Sequence, residues 1–266
     1  MPELAEVEYF RKQWSPGIGQ KVTRVLTHPK ARIFRDASAG EIERCLEGQS
    51  FLESFAHGKK MCFRFSSKVW LGLHLGMAGK LQTATPEIVP DRHDHLAILL
   101  PSVALVFSDY RMFGKVQIHQ GNSAPFWWNN LPPQPQEAEF TRQRFREILK
   151  RRSRRPLKAL LLEQADFPGI GNWMADEILW RARVHPTARP QDLSNHYRNR
   201  IFDSLKEVCD DAFRVIAPDW GDPPDSWLFN HRWKRSGQCP RSGKALDWIT
   251  VGGRTTCYSP AIQKLP

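Results

Sequence analysis

A chain of 266 residues with 41% hydrophobic side chains is long enough for two domains and a sizeable core, which excludes a disordered tail. It has no apolar run of about 18 residues, which excludes an ordinary membrane-spanning helix, and no basic region followed by an apolar stretch at its start, so no secretory signal is expected. The net charge of +11 points to a polyanionic partner, nucleic acid first, although a membrane or ribosomal surface fits the same number.

The chain opens with MPELAEVEYF, a proline after the initiator methionine and glutamates at 3 and 6. Leu4, Val7, Phe10 and Trp14 recur at helical spacing, so a helix is expected over 3–14. Two readings of its start stand open. Proline and acidic residues suit a helix N-terminus. Alternatively, Pro2 freed of Met1 is a secondary amine beside two carboxylates, the makings of a nucleophile.

From about 20 to 120 the segments KVTRVLTH, SFLESFAHGKKMCFRF, VWLGLHLGM, HLAILLP, ALVFSD and KVQIHQ are short, partly alternating and punctuated by Gly, Pro, Asp and Ser. That pattern predicts an antiparallel β-sandwich or barrel. A proline- and asparagine-rich stretch follows at 124–139 and is expected to be a linker. Helical patterns dominate from 140 to about 216, with a basic run at Lys150–Arg155, and a linker-like stretch follows at 217–226. Within the helical region, Gly169-Ile170-Gly171 stands before a helix, whose N–H groups, with the Asn172 amide, suit a phosphate oxygen or an ordinary turn. A β-like tail, 227–266, closes the chain. The five cysteines are scattered, without a C-x-x-C pair, and read as reduced thiols.

MPEL-x-EVE, HLGMAG (74–79), DYRMFG (109–114) and GIGNWMADEIL (169–179) occur in the order found in the formamidopyrimidine-DNA glycosylase and endonuclease VIII family, which this chain resembles over nearly its whole length. The resemblance implies an α+β multidomain protein: an N-terminal helix plus antiparallel β-sandwich (1–123), the linker, a helix–two-turn–helix DNA-binding domain (140–226) and a C-terminal β-hairpin finger (227–266). It implies excision of oxidised bases from duplex DNA and cleavage of the strand at the abasic site. An α-amino group has a pKa of about 7.7–8.0 against about 10.4 for lysine, so more of it is unprotonated at neutral pH. Attack on sugar C1′ would leave a Schiff base that serves as an electron sink.

Within that resemblance Pro2 is the nucleophile, Glu3 the general acid/base and Glu6 a supporting carboxylate. Lys59 is placed near the reacting sugar and phosphate, with Lys60 as its competitor should the strand register shift by one. His74, His93, Arg111, Arg154, Lys158 and Asn172 fall at DNA-backbone positions. Met77, Arg111 and Phe113 match the trio that fills the hole left by an everted base. Arg254, in GGRTT, matches the finger arginine that grips phosphate and assists elimination.

The family finger carries C-x2-C-x16-C-x2-C, a tetrahedral zinc signature. Those registers hold Cys239, Ser242, Ser259 and Ile262 here, so a zincless finger is expected, with no metal and no organic cofactor. The wedge trio favours the formamidopyrimidine branch, while the compact APDWGDPPDSW span before the finger leaves the preferred lesion open. A monomer acting on damaged double-stranded DNA without a membrane is expected, cytoplasmic or nucleoid-associated, nuclear if eukaryotic, with no targeting peptide ahead of Pro2. The competing readings are a lesion- or abasic-site-binding protein with lost catalysis and a basic ribosome- or RNA-associated protein.

Overall fold

The computed structural model describes residues 1–28, 30–34 and 36–266. They form two compact units, one of Met1–Pro2 and Glu6–Leu131, the other of Glu3–Ala5 and Pro132–Pro266. The first helix, α1 (Leu4–Gln13), contributes to both cores: Val7 and the following Trp14 are buried in the first, Leu4 and Ala5 in the second.

In the first unit, β1 (Arg24–Thr27), α2 (Ala39–Leu46), β2 (Phe51–His57), β3 (Lys60–Phe65), β4 (Val69–His74), β5 (Lys80–Ala84), β6 (Asp94–Leu99), β7 (Ala104–Ser108), β8 (Lys115–Gln120) and the short α3 (Phe126–Asn129) follow in order. The strands make two four-stranded antiparallel sheets, β1-β6-β7-β5 and β2-β3-β4-β8, forming the expected β-sandwich. Its core holds Trp14, Phe51, Phe63, Phe65 and Phe107 at no more than 1% exposure. Burying each such ring contributes about 1.5–3 kcal/mol, which dominates the unit's stability.

Two elements here escape the strand pattern. β5, KLQTA, has one buried apolar residue, Leu81, too little for alternation to reveal. α2 lies inside the β-like region, yet Ser38 accepts from the Glu41 N–H at 3.2 Å, and Ile42 and Leu46, four apart, are its buried face. Ser38 and Glu41 were a legible capping-box signal. Part of the expected linker is α3, whose Trp127 lies so close over Gly72 of β4 that a Cβ there would come within 2.4 Å of the indole.

The second unit contains α4 (Arg142–Arg151), α5 (Leu157–Leu161), α6 (Asn172–Arg181), α7 (Asn195–Val215) and the hairpin β9 (Asp247–Val251)–β10 (Arg254–Tyr258). α6 is the hub, with eight consecutive buried residues from Trp173 to Trp180. The tail 227–266, expected as a domain of its own, belongs to the same compact unit as the helices. Among the described residues no helix is long and apolar enough to cross a membrane.

Ser38→Ala should cost about 1 kcal/mol through loss of the α2 cap. Ile42→Ala should cost about 2–5 kcal/mol through a cavity beneath the same helix. Urea titration of both variants checks the order.

Candidate active site

Glu3 is the most constrained of the expected catalytic residues. Its side chain is almost fully buried, 3% exposed, at the N-terminus of α6. Gly171 N–H and Met174 N–H donate to Oε2 at 2.9 and 3.1 Å, and Trp173 N–H donates to Oε1 at 3.0 Å. A helix start offers unsatisfied N–H groups and a partial positive charge, so a carboxylate there is stabilised by both. The glycines exist for this approach: a Cβ on Gly171 would fall 2.1 Å from the Glu3 carboxyl carbon, and one on Gly169 2.4 Å from Leu4. Gly169 also has φ of 86°, a left-handed conformation that glycine adopts without strain.

The anion at the α6 N-terminus is the protein's own Glu3, which takes the N–H groups of Gly171, Trp173 and Met174. The Asn172 Nδ2 donates to the Thr255 carbonyl at 2.9 Å, while its buried Oδ1 has no hydrogen-bond partner among the described residues. The Lys158 side chain is 0% exposed and its Nζ lies 2.5 Å from both Asp176 Oδ1 and the Asn172 carbonyl, so it holds this interior together. In the basic run, Arg151 and Arg152 pair with Asp166 and Arg155 with Glu163. Arg154 is exposed in the α4–α5 loop.

Arg254 is exposed at the first position of β10. Gly252 and Gly253 precede it with φ of 60° and 74°, the two left-handed residues that a tight two-residue hairpin turn requires. A Cβ on Gly252 would sit 2.8 Å from that of Ala159 in α5, so the turn packs directly on that helix. Around the expected finger positions, Cys239 joins Trp180, Leu228, Leu246 and Cys257 in an apolar cluster, with Ile262 packed against it. The Trp180 indole N–H donates to Cys239 Sγ at 3.3 Å. Burial raises this thiol, but the Ser242 hydroxyl and the Trp180 indole N–H lower it more, bringing the pKa to about 7. One thiol, two hydroxyls and an alkyl group do not fit a tetrahedral zinc site.

In the first unit, Pro2 is half-buried and Met1 is 48% exposed. Glu6 is half-buried in the first turn of α1. Lys59 and Gly58 form the two-residue turn between β2 and β3, fixed by the pairing of His57 with Lys60. Lys60 instead begins β3, with its ammonium 5.7 Å from the Trp127 ring centre. His93 accepts from Arg92 Nε at 3.0 Å and stands edge-on to Tyr110.

The wedge trio lies in turns, partly exposed, which a core role would not allow. Met77 is in the turn after β4, half-buried, while Arg111 and Phe113 (50% exposed) lie between β7 and β8. The Arg111 guanidinium sits 4.9 Å from the Phe113 ring centre. The two turns interlock at Gly76, φ 62°, where a Cβ would meet the Phe113 carbonyl carbon at 2.4 Å. Asp109, which sequence reasoning did not single out, shapes the second turn: its carboxylate accepts from Arg111 N–H at 3.1 Å and Gly114 N–H at 2.7 Å. An aspartate two residues before a turn amide was the available signal.

A cleft of about 340 Å³ beside Phe113 is lined by Lys60, His74, Lys115, Gln117 and Trp127. Burial lowers the His74 pKa, and the charges of Lys59, Lys60 and Lys115 lower it further. His74 Nδ1 accepts from the Gly76 N–H at 3.0 Å, so the neutral ring carries its proton on Nε2, a donor for an acidic ligand. Burial and Lys115 together lower Lys60.

The depressed His74 value has a thermodynamic consequence. Below its ordinary 6.5 the unfolded chain takes up a proton that the folded chain resists, so stability falls as pH drops through that range. His74→Gln should flatten this part of the profile, measured as melting temperature from pH 7.5 to 5.5. Gly171→Ala should lower stability at every pH in the same series by displacing Glu3.

Comparison with known proteins places these features in a family. Residues 1–116 match the formamidopyrimidine-DNA glycosylase N-terminal domain and residues 131–218 the H2TH domain of the same enzymes. The chain is 30% identical to formamidopyrimidine-DNA glycosylase of Arabidopsis thaliana over 280 aligned positions, covering all of this chain and 71% of the relative. It is 31% identical to that of Geotalea daltonii, with 99% and 100% covered. A crystal structure of Lactococcus lactis formamidopyrimidine-DNA glycosylase bound non-covalently to DNA containing an AP site superposes with a TM-score of 0.86 at 27% identity, covering 98% of this chain and 99% of that one. With both domains and the full length matched, the chain belongs to the formamidopyrimidine-DNA glycosylase family.

Proposed function

We propose that this protein is a bifunctional DNA glycosylase and abasic-site lyase that removes oxidised bases from duplex DNA in base-excision repair, with Pro2 as the nucleophile. The observation that carries the reading is the Glu3 carboxylate, buried and fixed by three backbone N–H donors, with the proline immediately before it. Met1 is exposed enough for removal, which frees the Pro2 nitrogen. The Lactococcus lactis relative is solved with AP-site DNA and with DNA containing an oxidised pyrimidine, which supports damaged duplex DNA as the partner.

In this mechanism the Pro2 nitrogen forms a bond to C1′ as the C1′–base bond breaks, and the base leaves with a proton. The Glu3 carboxylate takes the proton that the Pro2 nitrogen carries after attack and passes it to O4′ as the C1′–O4′ bond opens, leaving an iminium. Loss of a C2′ proton into that electron sink expels the 3′ phosphate, and water then releases Pro2. Lys59 and Arg254 hold phosphate charge during the elimination. Met77 and Phe113 fill the gap left by the everted base, and Arg111 supplies a cation to the orphaned partner base. His74 donates from Nε2 to a backbone phosphate; His93 and Arg154 add contacts to the same strand. The ligand positions Cys239, Ser242, Ser259 and Ile262 support a finger that works without zinc.

Borohydride reduction during incubation with an abasic-site duplex should give a covalent adduct that maps to Pro2 in protein shown by mass to lack Met1. Pro2→Gly should abolish or strongly reduce it, and Glu3→Gln should slow strand cleavage by about 100- to 10,000-fold. No adduct from folded, DNA-binding protein lacking Met1 would leave a lesion-binding protein without catalysis.

A further inference from the structure

The hairpin that presents Arg254 has a free edge, and α6 occupies it. In β10, Val251↔Arg254 closes a two-residue turn, so Arg254, Thr256 and Tyr258 make the hydrogen-bonded pairs with β9 while Thr255 and Cys257 turn their peptide groups outward. The Thr255 carbonyl accepts from Asn172 Nδ2 at 2.9 Å, and the Cys257 N–H donates to Asp176 Oδ2 at 3.1 Å. Asn172 and Asp176 are four residues apart on α6, a rise of about 6 Å. Thr255 and Cys257 are two apart on a strand, about 6.8 Å. The helix thus matches the spacing of the strand edge.

Asp176 is also the centre of a buried charge cluster. Lys158 Nζ lies 2.5 Å from Oδ1, and Arg232 donates to Oδ2 from Nη2 at 2.6 Å and Nε at 3.2 Å. The side chains of Lys158 and Asp176 are 0% exposed and that of Arg232 is 5% exposed. Arg232 continues the connection, its carbonyl accepting from the Trp248 indole of β9 at 3.2 Å. Each strand of the hairpin is therefore tied to one carboxylate. The Glu3 charge also acts on Lys158, so the two carboxylates balance the two cations within this unit.

We propose that Asp176 is a positioning residue for Arg254: by holding Lys158, Arg232 and the Cys257 amide on its two oxygens, it fixes the hairpin on α6 and sets where the guanidinium meets phosphate. The inference rests on the lyase reading for the role of Arg254, while the anchoring itself stands apart from any activity. It assigns Lys158 a use that the sequence did not suggest, as the buried counter-charge of the anchor.

The test uses the full chain with Asp176→Asn, Asn172→Ala, Arg254→Ala and each anchor variant combined with Arg254→Ala. Amide exchange of the segment 254–258 by mass spectrometry reads the anchor. Single-turnover cleavage of an abasic duplex reads the chemistry. Asp176→Asn should speed exchange of that segment and slow cleavage by roughly 10- to 100-fold, the effect of small misplacement of a catalytic group. It should add nothing further in the Arg254→Ala background. Asn172→Ala, which leaves no buried charge unpaired, should show the same non-additive pattern more weakly, and it decides the matter should Asp176→Asn fail to fold. Unchanged exchange, or slowing that adds fully to that of Arg254→Ala, would overturn the proposal. So would loss of protection in wild-type protein treated with a zinc chelator, since a metal would then be the anchor. Absence of cleavage by the wild type overturns the lyase reading, and the exchange comparison still decides the anchor.

Discussion

One carboxylate against one helix end organises the second unit. Glu3 takes three of the N–H groups that α6 leaves unsatisfied at its start, and no side chain larger than hydrogen fits at Gly171 beneath it. Removing such a group without replacement would strand buried donors at a cost of about 1–3 kcal/mol each, more than most surface contacts are worth. The same contacts settle the position of residue 3 and, through one peptide bond, restrict that of residue 2.

α6 carries a second load along its length. Asn172 and Asp176 meet β10, while the neighbouring Glu177 accepts from the Phe229 N–H at 3.2 Å and from Arg181 Nε at 2.9 Å. Burial raises the Glu177 pKa and the Arg181 charge opposes that shift. A small hairpin has little core of its own and must borrow order from elsewhere. Here it borrows from the edge of a strand, an ion cluster and the apolar packing of Cys239, Leu246 and Cys257 around Trp180. Hydrogen bonds from the tail reach α6 and the loop after it, and the tail forms one compact unit with the helices.

The first unit uses turns where the second uses a helix. Gly76 lets one loop lie against another, and Asp109 holds the second loop open so that Arg111 and Phe113 project from it. Nearby, three lysines around His74 favour the neutral ring, and Asp36 offsets one of them by pairing with Lys115 at 2.6 Å. Positive charge concentrated on a partly buried, aromatic-lined cleft is suited to an anionic, stackable ligand.

How much was legible follows from where the information resides. The strands around Phe63, Leu71 and Val106 were readable because alternation is local, whereas β5 and α2 were missed, one for want of apolar residues and one because its capping box lay inside a β-like region. The four motifs in order carried the family, since each is a run of neighbouring residues. Residue type by itself also shows that Ser242, Ser259 and Ile262 carry no thiolate. Partner choice was another matter. A helix start offers its N–H groups to any anion, and only the folded chain brings Glu3 to Gly171 across 168 positions. The burial of Lys158 against Asp176 is likewise set only by the folded chain. The sequence by itself determined which chemical groups this protein possesses and their local geometry. The tertiary structure decided which charges are spent on one another and which remain for a ligand, because burial and long-range pairing are set by the whole chain.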